Sequence, residues 1–150
     1  MEIIENFLNQ YNKQYDFYTE LSKIGHNKLE SELRKRGIKA IVSYRAKGID
    51  RLREKLVQRN EEKKYKNVQA VFDDIVDLAG VRVALYFPSE RDLVDEIVRD
   101  LFKIVKTKNF PESSHKPKHT KRFSGYWATH YRVEINKSDK ENKRYHNAVF

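Results

Sequence analysis

A chain of 150 residues with 39% hydrophobic residues, 35% charged residues and no cysteine is long enough for one domain around a single core. The lack of cysteine excludes disulfides, thiolate metal sites and cysteine nucleophiles, and no apolar run is long enough to span a membrane. The formal net charge of +9 favours a polyanionic ligand, although a solvated lysine-rich surface is the alternative. We therefore expect a cytoplasmic protein that contacts no membrane.

The first 37 residues are predicted to form two amphipathic helices. Apolar side chains recur every three or four positions between residues 2 and 22, which is the periodicity of a helix with one buried face. Leu29 and Leu33 form the apolar stripe of a second helix, and Gly37 marks its end.

The centre of the chain is predicted to alternate strands with helices. Residues 38–45 are apolar and have the composition of a strand, and a basic helix follows them. Residues 60–67 are interpreted as a solvated linker and residues 68–76 as a helix. Residues 81–87 alternate in polarity, which predicts a second strand.

The last third of the chain is predicted to hold a helix, a basic loop and two strands. The helix covers residues 90–105 with Leu93 among its inward residues, and residues 106–122 carry two prolines without periodicity, which is typical of a loop. Residues 126–135 alternate again, and residues 147–150 begin a further strand. The whole order of elements predicts an α+β domain in which helices flank a mixed β-sheet.

Basic residues gather where the first strand meets the next helix. Arg45 and Lys47 lie at the strand end, and Arg51, Arg53 and Lys55 follow on the helix. Such cations, together with the amides of a helix N-terminus, suit a triphosphate. A solvated basic helix is the alternative interpretation.

A carboxylate lies close to the second strand. Asp77 is predicted to end the apolar helix, and Arg82 projects from the strand on the face opposite its valines. Asp77 is a candidate Mg²⁺ ligand, and a structural ion pair with Arg82 is the alternative. Asp73 and Asp74 are interpreted as plain acids on the helix surface.

The third candidate segment opens the strand at residues 126–135. Tyr126 at a sheet edge can stack on a base, Gly125 permits close backbone approach, and His130 shares the face of Tyr126. Packing of the tyrosine in a core is the alternative, and the polar character of this face weighs against it.

Together these three segments resemble the bacterial alarmone synthetases of the RelA/SpoT type. The family has an R-x-K motif with a further lysine eight residues on, a D-x-x-G-x-R segment and a G-Y-x-x-x-H segment. The matching residues of this chain, in the same order, are Arg45, Lys47 and Lys55, then Asp77, Gly80 and Arg82, then Gly125, Tyr126 and His130.

The resemblance implies a nucleotidyltransferase-like synthetase fold and a reaction. Such an enzyme transfers the β,γ-pyrophosphate of ATP to the 3′-hydroxyl of GDP or GTP, leaving AMP and making (p)ppGpp with Mg²⁺ as cofactor. On the donor side, the resemblance implies that Arg45 and Arg82 sandwich the adenine, that Lys47 and Lys55 contact the phosphates, and that Asp77 is a catalytic metal ligand.

On the acceptor side, the resemblance implies that Tyr126 stacks on the guanine and that His130 acts near the acceptor phosphates as a second catalytic residue. Arg122 and Ser124 stand where the family has a lysine and an asparagine before Gly-Tyr, and they are assigned to the acceptor as well.

Residues 1–37 would then be N-terminal helices and residues 38–150 the catalytic core of a small, synthetase-only protein. The family's second carboxylate is expected beyond Phe150, so this stretch alone is expected to turn over ATP poorly. Two alternatives stay open: a toxin-like relative that pyrophosphorylates the 3′ end of tRNA, and a nucleotide-binding module without catalysis. The oligomeric state is also left open.

Overall fold

A computed structural model describes residues 2–110 and 128–150 of the chain, and the α+β class is confirmed. Within these residues the helices and strands follow the order ααβααβαββ. The helices are α1 (Glu2–Lys13), α2 (Tyr15–Lys35), α3 (Ile49–Lys63), α4 (Val68–Asp74) and α5 (Arg91–Leu101); the strands are β1 (Ala40–Ala46), β2 (Ala79–Leu85), β3 (Phe102–Phe110) and β4 (Ala128–Ile135); short 3₁₀ turns cover Pro88–Glu90 and Lys140–Tyr145.

The described strands pair in two antiparallel ladders rather than within one mixed sheet. β1 pairs with β2, with Ala46 opposite Ala79 at one end and Ala40 opposite Leu85 at the other. β3 pairs with β4 in a separate ladder. The chain divides into two compact units: one holds the residues up to Leu101 together with Phe150, and the other holds Phe102–Val149.

In the first unit, α2 covers one face of the β1–β2 ladder. The ring of His26 approaches Val42, with Nε2 3.2 Å from the carbonyl oxygen, and it packs against the ring of Tyr44 at a centroid distance of 4.9 Å with the ring planes tilted by 56°. Gly25 permits the close approach of α2, because a Cβ there would lie 3.2 Å from Val81 Cγ2. The opposite face of the ladder is exposed, as Ile41 at 58% exposure shows.

One hydrophobic core of this unit lies between α1, α3 and α4. The apolar face of α1 packs on Leu52 and Leu56 of α3 and on Val71 of α4. The rings of Phe7 and Phe72 meet at a centroid distance of 4.5 Å. Burial of this stripe, rather than intrinsic helix propensity, is what holds a helix as short as α1 in place.

The end of α2 follows the Schellman pattern at the glycine that the sequence indicated. Gly37 has a φ of 71°, a conformation that glycine adopts without strain. The amide of Ile38 donates to the carbonyl of Leu33 at 2.9 Å, and the amide of Gly37 donates to the carbonyl of Arg34 at 3.1 Å. Ile38 and Leu33, the two positions whose hydrophobic contact often accompanies this motif, are both buried.

Several predicted boundaries are wrong. The N-terminal helix does not run unbroken over residues 2–22, because Gln14 separates α1 from α2. α5 ends at Leu101, and the next nine residues are β3, where a helix end and a loop were predicted. Leu93 is 45% exposed rather than inward. Residues 147–150 lie outside any strand.

Within residues 2–110 and 128–150, no helix combines the length and the apolar character that a bilayer crossing requires.

Candidate active site

Two loops meet at one end of the β1–β2 ladder. Lys47 directly follows β1, and Asp77 and Leu78 directly precede β2. The antiparallel pairing of Ala46 with Ala79 places these loops side by side, and the amide of Lys47 donates to the carbonyl of Leu78 at 2.8 Å. Residues 30 positions apart in the sequence thereby share one site.

Asp77 forms ion pairs with two lysines in this site. Lys47 Nζ donates to Asp77 Oδ2 at 2.6 Å, and Lys55 Nζ, from α3, lies 3.6 Å from Asp77 Oδ1. Asp77 lies in the loop after α4 and not at a helix end, which corrects the predicted position. Among the described residues its ionic partners are these lysines, so the alternative of a structural pair with Arg82 is wrong.

The two lysines set the charge of the site. Burial acts to raise the pKa of Asp77, but the hydrogen bond from Lys47 and the charges of both lysines outweigh it, so the pKa lies below its ordinary value. Burial lowers the pKa of Lys55, and the charge of Asp77 opposes this only in part. Asp77 is therefore ionised at neutral pH.

Arg45 and Arg82 lie on the exposed face of the same ladder. Arg45 is opposite Gly80 and Arg82 is opposite Ser43, so the two arginines are diagonal neighbours on one face. Both are exposed, and within the described part of the chain no ion pair involves either of them. A Cβ at Gly80 would meet no atom within 4 Å, so the backbone beside Arg45 is open to a ligand.

The other cations of the predicted basic helix point elsewhere. Arg53 Nη2 lies 3.2 Å from Glu5 Oε2 of α1, so this arginine serves the contact between α3 and α1. Arg51 is exposed. The sequence grouped five cations at the end of the first strand. In the structure Lys47 and Lys55 form ion pairs with Asp77, and Arg45 lies nearby on the exposed face of the ladder.

Most of the predicted acceptor segment lies outside the described residues. Arg122, Ser124, Gly125 and Tyr126 lie outside the described residues. His130 lies in β4 of the second unit, opposite Lys108, and is exposed.

The sequence missed a second charged cluster, around Asp74. This carboxylate accepts hydrogen bonds from the Tyr65 hydroxyl at 2.5 Å and from Arg59 Nη1 at 3.0 Å, and Lys63 Nζ lies 3.7 Å away. Asp74 is thus not a plain surface acid, and Tyr65 is buried although it was assigned to a solvated linker. The signal available was the spacing of Arg59 and Lys63, which face one side of α3.

Both partners of the shortest bond in this cluster have shifted pKa values. Burial and the hydrogen bond to Asp74 raise the pKa of Tyr65 to about 12. The bond from Tyr65 is the largest cause that lowers the pKa of Asp74, with Arg59 adding to it. The cluster ties the end of α3 to the end of α4.

The donor set around Asp77 fits a magnesium ion held jointly with a ligand. Among the described residues no three His, Asp or Glu side chains gather into a site that would hold a metal by themselves. Mg²⁺ is, however, commonly bound by one or two carboxylates together with substrate phosphates. Asp77 offers an ionised carboxylate whose side chain is 55% exposed.

Comparison with known protein families assigns the chain that carries this site. The region found in RelA/SpoT proteins matches residues 44–146, more than half of the chain. The chain belongs to the RelA/SpoT family. Membership supports a pyrophosphotransfer activity of the (p)ppGpp synthetase type, that of a pyrophosphokinase. The range matched in RelA/SpoT proteins begins within β1 and includes Lys47, Asp77 and His130. A search of curated proteins returns no significant match.

Proposed function

We propose that this protein transfers the β,γ-pyrophosphate of ATP to the 3′-hydroxyl of GDP or GTP, with Mg²⁺ as cofactor. The observation that carries the proposal is the pairing of Asp77 with Lys47 and Lys55 beside the exposed arginine face. Two lysines on one carboxylate, with Arg45 and Arg82 on the adjoining sheet face, leave this end of the ladder positive, as a triphosphate requires.

The exposed face of the β1–β2 ladder supports adenine binding. Diagonal neighbours across an antiparallel pair are about 7–8 Å apart. Stacked bases lie about 3.4 Å apart, so a base between two planar groups needs about 7 Å. The positions of Arg45 and Arg82 match this spacing, and guanidinium groups stack well on aromatic rings. Gly80 leaves room for the base edge.

The lysines and Asp77 would divide the triphosphate between them. Lys47 and Lys55 would bind phosphate oxygens, which compete with the oxygens of Asp77 for the same ammonium groups. Asp77 would hold Mg²⁺, which supplies charge neutralisation on the phosphates when bound. The 3′-hydroxyl oxygen of the acceptor would bond to the β-phosphorus of ATP and lose its proton to solvent, while the bond from that phosphorus to the bridging oxygen of the α-phosphate breaks and AMP leaves. Such a reaction depends on positioning and electrostatics.

The acceptor side of the proposal rests on sequence. Tyr126 would stack on the guanine, since stacking on an aromatic side chain contributes about 1–3 kcal/mol per base. His130 would contact the acceptor phosphates, and Arg122 and Ser124 would complete the acceptor site.

The decisive experiment supplies the protein with ATP, Mg²⁺ and one acceptor at a time: GDP, GTP, GMP or deacylated tRNA. We expect AMP and a 3′-pyrophosphorylated guanosine nucleotide with GDP or GTP. Product with tRNA alone would replace our acceptor with RNA, whose binding should weaken steeply with salt. Binding of ATP without any product would indicate a nucleotide-binding module.

A matched pair of variants tests the donor site itself. Lys55 and Lys63 both lie on α3, and each approaches an aspartate, at 3.6 Å and 3.7 Å. Lys55→Gln should weaken ATP binding by about tenfold or more, because it removes a charge-assisted phosphate contact. Lys63→Gln should leave ATP affinity within about twofold. Equal effects of the two variants would show that general positive charge, and not this site, binds ATP.

A further inference from the structure

A buried phenol from α1 reaches the two loops of the candidate active site. Tyr11 is 0% exposed, yet it carries a polar hydroxyl that must find a partner inside the protein. That hydroxyl lies 2.6 Å from the carbonyl oxygen of Lys47 and 3.4 Å from the carbonyl oxygen of Leu78. The shorter contact is the stronger hydrogen bond, and the longer one brings the second loop into the same arrangement.

Tyr11, Lys47 and Leu78 form a small hydrogen-bond network beneath the charged side chains of the site. The amide of Lys47 donates to the carbonyl of Leu78, and Tyr11 approaches both carbonyls. The side chain of Lys47 pairs above them with Asp77, the neighbour of Leu78. Tyr11 thus contacts the backbone from which both charged groups of the site project.

The surroundings of Tyr11 hold its hydroxyl in the donating form. Burial, with the neighbouring phenols of Tyr15 and Tyr18, raises the pKa of Tyr11 well above its usual range. Its ring packs against those of Phe7, Tyr15 and Tyr18. The phenol is therefore fixed in position and protonated at every physiological pH.

We infer that Tyr11 is a positioning residue of the nucleotide site: its hydroxyl fixes the backbone of the two loops that present Lys47 and Asp77. Tyr11 lies outside residues 44–146, the range matched by the family, so α1 contributes to the site from beyond that range. The role in ATP binding rests on the function proposed above, whereas the role in fixing the loops rests on the hydrogen bonds alone.

The test substitutes Tyr11→Phe, which keeps the ring and its packing but removes the hydroxyl. Hydrogen exchange at the Lys47 amide should become about tenfold faster, and the Kd for ATP should rise about tenfold; tenfold equals about 1.4 kcal/mol, the scale of one hydrogen bond. Tyr15→Phe makes the same chemical change one turn along the chain and should move neither value. Leu8→Ala, at a buried position of the same helix, controls for loss of core packing.

The outcomes separate the two proposals. Wild-type exchange and ATP affinity in Tyr11→Phe would overturn the inference, as would changes no larger than those caused by Leu8→Ala. Selective acceleration at Lys47 in Tyr11→Phe, together with a wild-type protein that fails to bind ATP, would uphold the role in fixing the loops and refute the proposed function. Selective acceleration together with weaker ATP binding supports both.

Discussion

Replacing Tyr65 with phenylalanine should destabilise the protein although it leaves the buried ring in place. Tyr65 is only 9% exposed, and the change removes its hydroxyl, which donates a hydrogen bond to Asp74 at 2.5 Å. Hydrogen bonds to charged groups contribute about 1.5–3 kcal/mol. Asp74 keeps Arg59 and Lys63 as partners, so we expect the lower part of this range, about 1.5–2 kcal/mol.

The same bond makes the stability difference depend on pH. The pKa of Tyr65 is raised to about 12 in the folded protein, against about 10 in an unfolded chain. The contribution of the hydroxyl is therefore fully present below pH of about 10 and is lost as the pH rises toward 12, since the unfolded chain releases its proton first. The difference between wild type and Tyr65→Phe should shrink over that window.

Urea unfolding at pH 8 and at several values above pH 10 measures both effects. Thermal unfolding at pH 8 should show a Tm that is lower by about 3–8 °C in Tyr65→Phe for a chain of this size. Tyr86→Phe is the matched control, because Tyr86 is 61% exposed and its replacement should change stability by less than about 0.5 kcal/mol. If Tyr65→Phe lost as little unfolding free energy as the control, or if its loss stayed constant with pH, the hydrogen bond from Tyr65 to Asp74 would not contribute to stability as we expect.

Three further predictions concern the candidate site and its surroundings. Asp77→Asn should abolish Mg²⁺-dependent transfer while circular dichroism shows a retained fold, because it removes a charge at nearly constant shape; most of the activity surviving would make Asp77 a structural acid. Tyr126→Ala should weaken acceptor binding by roughly tenfold and spare ATP, whereas Tyr126→Phe should keep both, as calorimetry can measure; equal losses for both nucleotides would assign Tyr126 to the core. The free energy of unfolding should fall as the pH drops below about 4, because the ionised carboxylate of Asp74, whose pKa is lowered in the folded protein, stabilises the fold and is then protonated. Acid unfolding of Asp74→Asn should show a shallower fall. An identical dependence on pH in the two proteins would contradict this.

The sequence was most informative where periodicity and local chemistry agree. The alternation around Arg82 placed it correctly on the exposed face of a strand, and Gly37 marked the end of α2. β3 was missed because Leu101 and Ile104 continue the helical spacing of α5, although Ile104, Val105 and Thr107 are β-branched and favour a strand. Tertiary pairing overrode that local pattern.

In the candidate site, too, local motifs were predictable from the sequence, whereas contacts between distant segments were not. Lys47, Lys55 and Asp77 could be grouped through motifs, but the direct pairing of the two lysines with Asp77 depends on where the loops meet in space. No spacing rule connects Tyr11 with a carbonyl 36 residues away. Contacts of this range become visible only once the chain is folded.

The alternation along β1 and β2 also bears on how this protein can evolve. Val42 and Val83 face the side that α2 covers, whereas Ser43, Arg45 and Arg82 face the exposed side. On the function proposed above, mutations on the exposed side would alter ligand preference without disturbing the packing between the ladder and α2. A library randomised at these exposed positions should yield a high fraction of folded variants, and if the proposed adenine site is correct, selection from that library should change the base of the donor nucleotide.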